Sequence, residues 1–192
     1  MNKFIAALAL FAVLISTPVF AQAVDLNKAD PENYIVMDVD YVSGQGQILI
    51  RLYPLAAPKH IARIKELIRK GFYDGIIFHR VIEGFMAQTG DPKGDGTGGS
   101  GQNIDAEFNR LPHVRGTLSM ARAEDENSAD SQFFICYDRR PDLDDKYTIW
   151  GRVVKGMNYA DMIPLGVPAP TPGKIIKIRV AADIPGWPNS NK

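Results

Sequence analysis

The stretch FHRVIEGFMAQTGD (residues 78–91) carries the pattern that decides the fold. It contains parts of two short runs rich in apolar and β-branched residues, IIFHRV (76–81) and FMAQT (85–89), with Gly84 between them. Short runs of this kind bounded by glycine are typical of β-strands joined by turns. The stretch therefore predicts two short strands, and the glycine-rich segment after it predicts a loop.

That loop contains GDGTGG (94–99), which formally matches the G-x-G-x-x-G pattern of dinucleotide-binding proteins. The fingerprint has to open a helix, but the segment that follows (100–110) has no helical apolar face. No Lys-Ser or Lys-Thr pair follows the glycines, which excludes a Walker-type phosphate loop. The spacing of Asp91, Asp95 and Asp105 also misses the EF-hand pattern. The segment is therefore interpreted as a tightly turning surface loop.

The rest of the chain carries further short strand patterns. Between residues 47 and 53 the side chains alternate with the period of two that is typical of a strand. The predicted strands are 34–41, 47–53, 76–81, 85–89, 117–121, 133–137, 148–153 and 175–182. Many short strands with glycine-rich connections favour a barrel or a sandwich. The polar segment from Val24 to Glu32 is expected to be extended.

Two helices are predicted. APKHIARIKELIRKG (57–71) has an apolar face formed by Ile61, Ile64, Leu67 and Ile68, and Pro58 suits its first turn. A shorter helix is expected at 157–163. Since strands and helices do not alternate regularly, a doubly wound parallel sheet is disfavoured.

The first 23 residues read as a secretory signal peptide. Lys3 precedes an apolar run from Phe4 to Ile15, and the small residues Ala21 and Ala23 flank Gln22. The run is shorter than the roughly 20 apolar residues that a spanning helix needs. Residues 24–192 are then expected to form a single domain with its core at about 34–182. The predicted location is the periplasm, with full secretion as the alternative.

Composition limits the classes of partner. Cleavage after Ala23 leaves 169 residues with 21 basic and 22 acidic side chains, a formal charge of −1. This balance gives no electrostatic support for nucleic acid or an anionic membrane as a partner. No disulfide within the chain is possible because Cys136 is its one cysteine, and within QFFICY it is interpreted as a small buried hydrophobe.

Three motifs together resemble the cyclophilin family of peptidyl-prolyl isomerases. They are FHRVIEGFMAQTGD (78–91) with GTGG (96–99), GTLSMARAEDENSADSQFFI (116–135) and LDDKYTIWGRVVKGM (143–157). They follow the family's order and spacing, and the resemblance spans roughly residues 34–182. The export signal and the MAR sequence resemble the bacterial periplasmic branch. The resemblance implies a closed eight-stranded antiparallel β-barrel capped by two helices.

The same resemblance implies the site residues and their roles. Arg80 falls on the family's catalytic arginine, and Phe85 and Gln88 complete the catalytic set. The expected substrate-binding residues are Met86, Ala121, Arg122, Gln132, Phe134, Leu143 and Tyr147. Rotation about an X–Pro bond makes and breaks no covalent bond, so we expect no cofactor and no metal. The expected partners are proline-containing polypeptides, with neither nucleic acid nor a stable membrane association after signal cleavage.

Three positions depart from the family pattern. Asp142 stands where eukaryotic-type members carry a Trp, and Tyr147 stands where they carry a His. The first departure predicts weak cyclosporin binding. Arg122 occupies a position where other members carry Asn. The alternative to an isomerase is a non-catalytic module or holdase that grips proline-containing segments. Nothing in the sequence suggests an obligate partner, and a monomer is expected.

Overall fold

A computed structural model describes residues 25–188 of the chain. The chain forms eight strands: β1 (Tyr34–Asp40), β2 (Gln45–Leu52), β3 (Arg80–Ile82), β4 (Met86–Thr89), β5 (Thr117–Met120), β6 (Phe133–Cys136), β7 (Ile149–Lys155) and β8 (Lys174–Val180). They pair antiparallel in one sheet, in the order β3-β4-β6-β5-β7-β2-β1-β8. Each of the eight predicted strands overlaps one of these strands, but the run 76–81 does so only at Arg80 and Val81.

The sheet curls so that the segment just before β3 meets the start of β8. Near β8 the backbone N–H of Gly75 donates to the carbonyl of Ile175 at 2.8 Å, and the N–H of Ile175 donates to Ile76 at 2.9 Å. The N–H of Phe78 donates to Gly173 at 2.8 Å. These bonds form a seam, defined here as residues 75–78 against 173–175. The eight predicted antiparallel strands therefore form a curled half-barrel, and its two ends meet through this irregular seam.

The seam also corrects one predicted strand. The run 76–81 was expected to be a strand throughout, but regular pairing begins only at Arg80. Upstream of it the chain forms an isolated bridge between Ile77 and Lys174. The apolar run identified a buried segment correctly, but its hydrogen-bond partners lie across the seam in an irregular pattern rather than in a ladder.

Two helices, α1 (Pro58–Arg69) and α2 (Met157–Asp161), pack on the barrel. The predicted apolar face of α1 is buried through Ile61, Ile64, Leu67 and Ile68. Within residues 25–188 neither helix is long and apolar enough to cross a membrane. The signal peptide predicted at residues 1–23 lies outside the described residues.

The segment before β1 differs from the expectation of an extended chain. It forms two short 3-10 turns, Leu26–Lys28 and Pro31–Asn33. Each turn begins after an aspartate whose carboxylate accepts a backbone N–H two residues on, at 3.1 Å for Asp25 and 3.0 Å for Asp30. Such side-chain caps stabilise turns in polar segments, which explains why polarity alone misled the prediction.

Strand β6 separates the barrel interior from its outer face. Successive side chains of a strand point to opposite sides, so Phe133 and Ile135 lie in the main core while Phe134 and Cys136 join a smaller cluster outside it. Inside, Phe133 meets Trp150 edge-on with ring centroids 5.4 Å apart. Because large side chains fill the interior, a ligand site has to lie on the outer face.

Gly156 provides a test of this packing. It precedes α2 with a φ of +84°, and a Cβ there would overlap the carbonyl oxygen of Gln47. We expect Gly156→Ala to lower the free energy of unfolding by about 2–4 kcal/mol, from backbone strain and overlap together. Urea denaturation at neutral pH measures this change.

Gly75 gives the matched control, because it has the same φ of +84° but open space around the Cβ position. Gly75→Ala should lower the free energy of unfolding only by the cost of backbone strain, about 1–2 kcal/mol. Equal losses in the two variants would contradict the close approach of Gln47 to Gly156.

Candidate active site

A small pocket of about 130 Å³ lies on the outer face of the barrel, over β3, β4 and β6. Its apolar floor is formed by Met86, Phe134 and Leu143, which are buried. The full lining is Arg80, Phe85, Met86, Gln88, Ala121, Arg122, Phe134, Leu143 and Tyr147. The pocket therefore combines an apolar base with two guanidinium groups at its edge.

Strand register places the central residues in one row. Arg80 of β3 lies opposite Gln88 of β4, and Gln88 lies opposite Phe134 of β6. Residues directly opposite each other in antiparallel strands share a face of the sheet. This is why three residues that are distant in sequence meet on the outer face of the barrel.

Arg80 is held by a chain of amide hydrogen bonds. Its guanidinium donates to Oε1 of Gln88 at 3.4 Å, and Nε2 of Gln88 donates to Oε1 of Gln132 at 2.9 Å. Nε2 of Gln132 in turn donates to the carbonyls of Gly96 at 3.0 Å and Gly98 at 2.8 Å. We call this series the amide relay. It connects the glycine-rich loop to the arginine.

The loop at the start of the relay is organised around the buried carboxylate of Asp91. Its oxygens accept the backbone N–H groups of Lys93 at 2.8 Å, Asp95 at 3.2 Å and Gly96 at 2.6 Å. Burial would raise the pKa of Asp91, but the backbone N–H groups of Lys93, Gly98 and Gly96 together outweigh it and hold that pKa below its usual value. At Gly98 a Cβ would overlap Asp91, so the loop needs a glycine there.

Tyr147 and Arg122 form one edge of the pocket. The Tyr147 ring meets Phe134 edge-on at 6.0 Å, and the guanidinium carbon of Arg122 lies 4.8 Å from the Tyr147 ring centroid. Arg122 also donates to the carbonyls of Lys146 at 3.2 Å and Ala123 at 3.0 Å. These contacts hold the Arg122 guanidinium against the Tyr147 ring and the neighbouring backbone.

His113 lies behind Phe134. The two rings are stacked with centroids 6.3 Å apart and an interplanar angle of 16°. Nδ1 of His113 is 3.0 Å from Asp144 and Nε2 is 3.0 Å from the hydroxyl of Ser119. Burial lowers the pKa of His113, although Asp144 opposes that effect. The buried imidazole therefore supports the floor of the pocket.

The structure brings the sequence-predicted site residues together. Nine of the ten line the pocket, while Gln132 lies in an adjoining hollow of about 310 Å³ that it shares with the glycine-rich loop. Gln88, Ala121 and Arg122 border both spaces. The two spaces therefore form one continuous groove.

Sequence reasoning missed Arg140 and His113. The guanidinium carbon of Arg140 lies 3.7 Å from the centroid of the Phe85 ring. Arg140 precedes the 3-10 turn Pro141–Leu143, where no strand or helix period predicts which way a side chain points. Cys136 is fully buried beside Phe134, and burial raises the pKa of its thiol to about 12. The two-residue spacing of Phe134 and Cys136 was a signal that could have placed Cys136 in this cluster.

The arrangement suits binding of a compact apolar ring. The floor is apolar, and the Arg80 guanidinium at the rim presents N–H donors next to it. Arginine carries its charge at every accessible pH. The pocket can therefore hold a ring by burial and place a fixed positive charge against a polar group of the same ligand.

Residues 35–181 match the family model described as "Cyclophilin type peptidyl-prolyl cis-trans isomerase/CLD". A probable peptidyl-prolyl cis-trans isomerase of Brucella suis is 46% identical over 172 residues, covering 81% of this chain and 86% of the relative. Peptidyl-prolyl cis-trans isomerase B of Bacillus subtilis is 45% identical over 116 residues, covering 59% of this chain and 80% of the relative.

Solved structures show the same architecture. A cyclophilin from Hirschia baltica matches with a TM-score of 0.73 at 29% identity, over 81% of this chain and 76% of that one. A cyclophilin-type isomerase of Cryptosporidium parvum, crystallised in the presence of the dipeptide Ala-Pro, matches with a TM-score of 0.70 at 32% identity. That match covers 77% of this chain and 98% of the other.

Buried histidines predict how stability depends on pH. Burial lowers the pKa of His60, His79 and His113 in the folded protein. The unfolded chain therefore binds more protons than the folded one just below the ordinary histidine pKa of about 6.5. The contribution of the neutral histidines to the free energy of unfolding should be fully present above that pH. It should decrease as the pH is lowered from 7.5 to 5. Urea unfolding across this range measures the loss.

His79→Asn isolates one contribution, because burial is the main cause of the lowered His79 pKa and the charge of Asp91 only partly opposes it. The variant should lose less stability between pH 7.5 and pH 5 than the wild type does. An identical pH slope in both proteins would count against the buried neutral state of His79.

Proposed function

The chain belongs to the cyclophilin-type peptidyl-prolyl cis-trans isomerase family, and we propose that it acts on exported polypeptides through the pocket beside Arg80. The observation that supports this assignment most strongly is the guanidinium of Arg80 at the rim of a small apolar pocket. A volume of about 130 Å³ suits one compact ring, whereas drug-sized ligand pockets begin at roughly 300 Å³.

The reaction to be accelerated is rotation about the amide bond that precedes proline. Partial double-bond character gives this rotation a barrier of about 18–20 kcal/mol. Without a catalyst it takes tens to hundreds of seconds. Since no covalent bond is made or broken, the site needs a grip on the proline ring and a group that weakens amide resonance.

Arg80 supplies that second requirement in the proposed mechanism. As the C–N bond twists, the nitrogen becomes pyramidal and gains a lone pair that can accept a hydrogen bond. A guanidinium placed beside that nitrogen binds the twisted form better than the planar one, which is differential binding of the transition state. The amide relay keeps Arg80 in place before the peptide arrives, so little reorganisation is needed.

The remaining pocket residues bind the peptide in this proposal. Met86, Phe134 and Leu143 take the proline ring against the floor, and Phe85 and Tyr147 form the side walls. Ala121 and Arg122 border the continuation of the groove, where Gln88 and Gln132 present amides. The Ala-Pro dipeptide named for the Cryptosporidium parvum relative supports an X-Pro ligand for this chain too.

A non-catalytic proline-binding module is the alternative function. Such a module would need the apolar floor, but it would not need a preorganised cation beside the amide nitrogen. The fixed position of Arg80, with Gln88 behind it, therefore favours catalysis.

We further propose a monomeric periplasmic enzyme that assists the folding of exported chains. The N-terminal sequence pattern and the bacterial relatives support that location. We also expect weak cyclosporin binding, since Asp142 stands where eukaryotic-type members carry a Trp and its carboxylate accepts two hydrogen bonds from Arg140.

The decisive experiment compares the cis-to-trans rate of a short X-Pro peptide with wild type and Arg80→Ala. We expect strong acceleration by the wild type and a loss of about 10²–10³ in kcat/KM for the variant, the range seen when one transition-state donor is removed. Arg152→Ala on the exposed part of β7 is the matched control, and it should keep full activity.

Circular dichroism should confirm that Arg80→Ala remains folded. Wild-type protein that binds the peptide without accelerating it would favour the binding module. Full activity in folded Arg80→Ala would remove Arg80 from the mechanism.

Location has its own test. The protein is isolated from the periplasmic fraction of its bacterial host, and its intact mass is measured. We expect a chain that begins at Val24, because cleavage is proposed after the Ala21-Gln22-Ala23 sequence. A full-length chain in the cytoplasmic fraction would contradict both the signal and the periplasmic location.

A further inference from the structure

The ring of Phe85 lies close to two guanidinium groups. The guanidinium carbon of Arg140 is 3.7 Å from the ring centroid, and that of Arg80 is 5.5 Å from it. Cations within about 6 Å of an aromatic centroid are attracted to the face of the ring. The nearer partner, Arg140, lies outside the pocket lining, so its contact with the site runs through Phe85.

Arg140 is itself fixed by a two-point ion pair. Its Nε donates to Oδ1 of Asp142 at 2.9 Å and its Nη2 donates to Oδ2 at 2.7 Å. Two parallel N–H···O bonds hold the plane of a guanidinium as well as its position. The hydrogen bonds that Arg140 donates to the Asp142 carboxylate raise the pKa of Arg140, so the cation persists at every working pH.

Phe85 needs such support because its side chain is only partly buried. Its backbone is fixed, since its N–H donates to Ile82 at 3.0 Å and its carbonyl accepts from Tyr137 at 2.8 Å. The torsions of the side chain are therefore the remaining freedom. Because the guanidinium carbon of Arg140 lies over the ring at 3.7 Å from its centroid, it restricts these torsions and helps to hold the ring in place.

We propose that Arg140 and Asp142 form a clamp that positions the Phe85 ring and so sets the width of the proline pocket. Arg140 is a positioning residue in this proposal, which rests on the proposed isomerase function for its kinetic consequence. Asp142 occupies two N–H donors of Arg140 and neutralises its charge. The clamp thus offers a flat face to Phe85 while Arg80 remains the cation that meets the peptide.

The kinetic test is a split between KM and kcat. Arg140→Ala should raise KM, and the dissociation constant of an Ala-Pro peptide measured by titration, by about three- to tenfold. Its kcat should stay within about twofold of wild type, since Arg80 and its relay remain. Arg152→Ala again serves as the arginine control.

Two further variants separate stacking from charge. Arg140→Tyr keeps a flat face without a cation and should restore most of the lost affinity. Arg140→Lys keeps the charge on a flexible stem and should not restore it. Asp142→Asn weakens the grip on the guanidinium and should fall between wild type and Arg140→Ala.

A spectroscopic measurement tests the contact without catalysis. Stacking on a phenyl face should shift the Hε proton signal of Arg140 upfield in the wild-type NMR spectrum, and Phe85→Leu should abolish that shift. An Arg140 signal that is unchanged by Phe85→Leu would overturn the clamp, as would unchanged peptide affinity in Arg140→Ala. An inactive wild type that retained the shift and the affinity split would refute the isomerase mechanism but support the clamp.

Discussion

The position of one guanidinium depends on hydrogen bonds that begin in the glycine-rich loop. The carbonyls of Gly96 and Gly98 fix Gln132, which fixes Gln88, which holds Arg80. The N–H of Gly96, in contrast, donates a hydrogen bond to the Asp91 carboxylate. A phosphate-binding loop needs such N–H groups free to meet the anion. The loop therefore has the composition of a nucleotide motif but uses its backbone in the opposite sense, presenting acceptors toward the site.

A second constraint is that the side chains of β6 alternate between the barrel core and its outer face. Phe133 and Ile135 complete the barrel interior, while Phe134 contributes to the floor of the pocket and Cys136 is buried beside it in the outer cluster. Core and site therefore share one short strand, and a one-residue change of register would exchange them. The pairing of β6 with both β4 and β5 fixes that register on each side.

Local sequence patterns predicted most of the fold, because strand period and glycine placement act over a few residues. The seam was mispredicted at 76–81 because its hydrogen bonds depend on residues 173–175, almost a hundred positions later. Periodicity could place Arg80 and Ile82 on one face of a strand, but only the family resemblance gave Arg80 a role. Neither periodicity nor the family resemblance identified Arg140, since it lies in an irregular loop and its contact with Phe85 arises from tertiary packing.

The seam has a consequence for how the sheet meets an extended peptide. An open sheet edge offers unpaired N–H and C=O groups to any extended segment, and such edges seed aggregation. Here backbone groups of the segment just before β3 are hydrogen-bonded to backbone groups at the start of β8, through Gly75, Phe78 and Ile175. Along the seam, an extended peptide therefore meets backbone groups that are already paired, whereas the side chains of the groove remain accessible on the outer face.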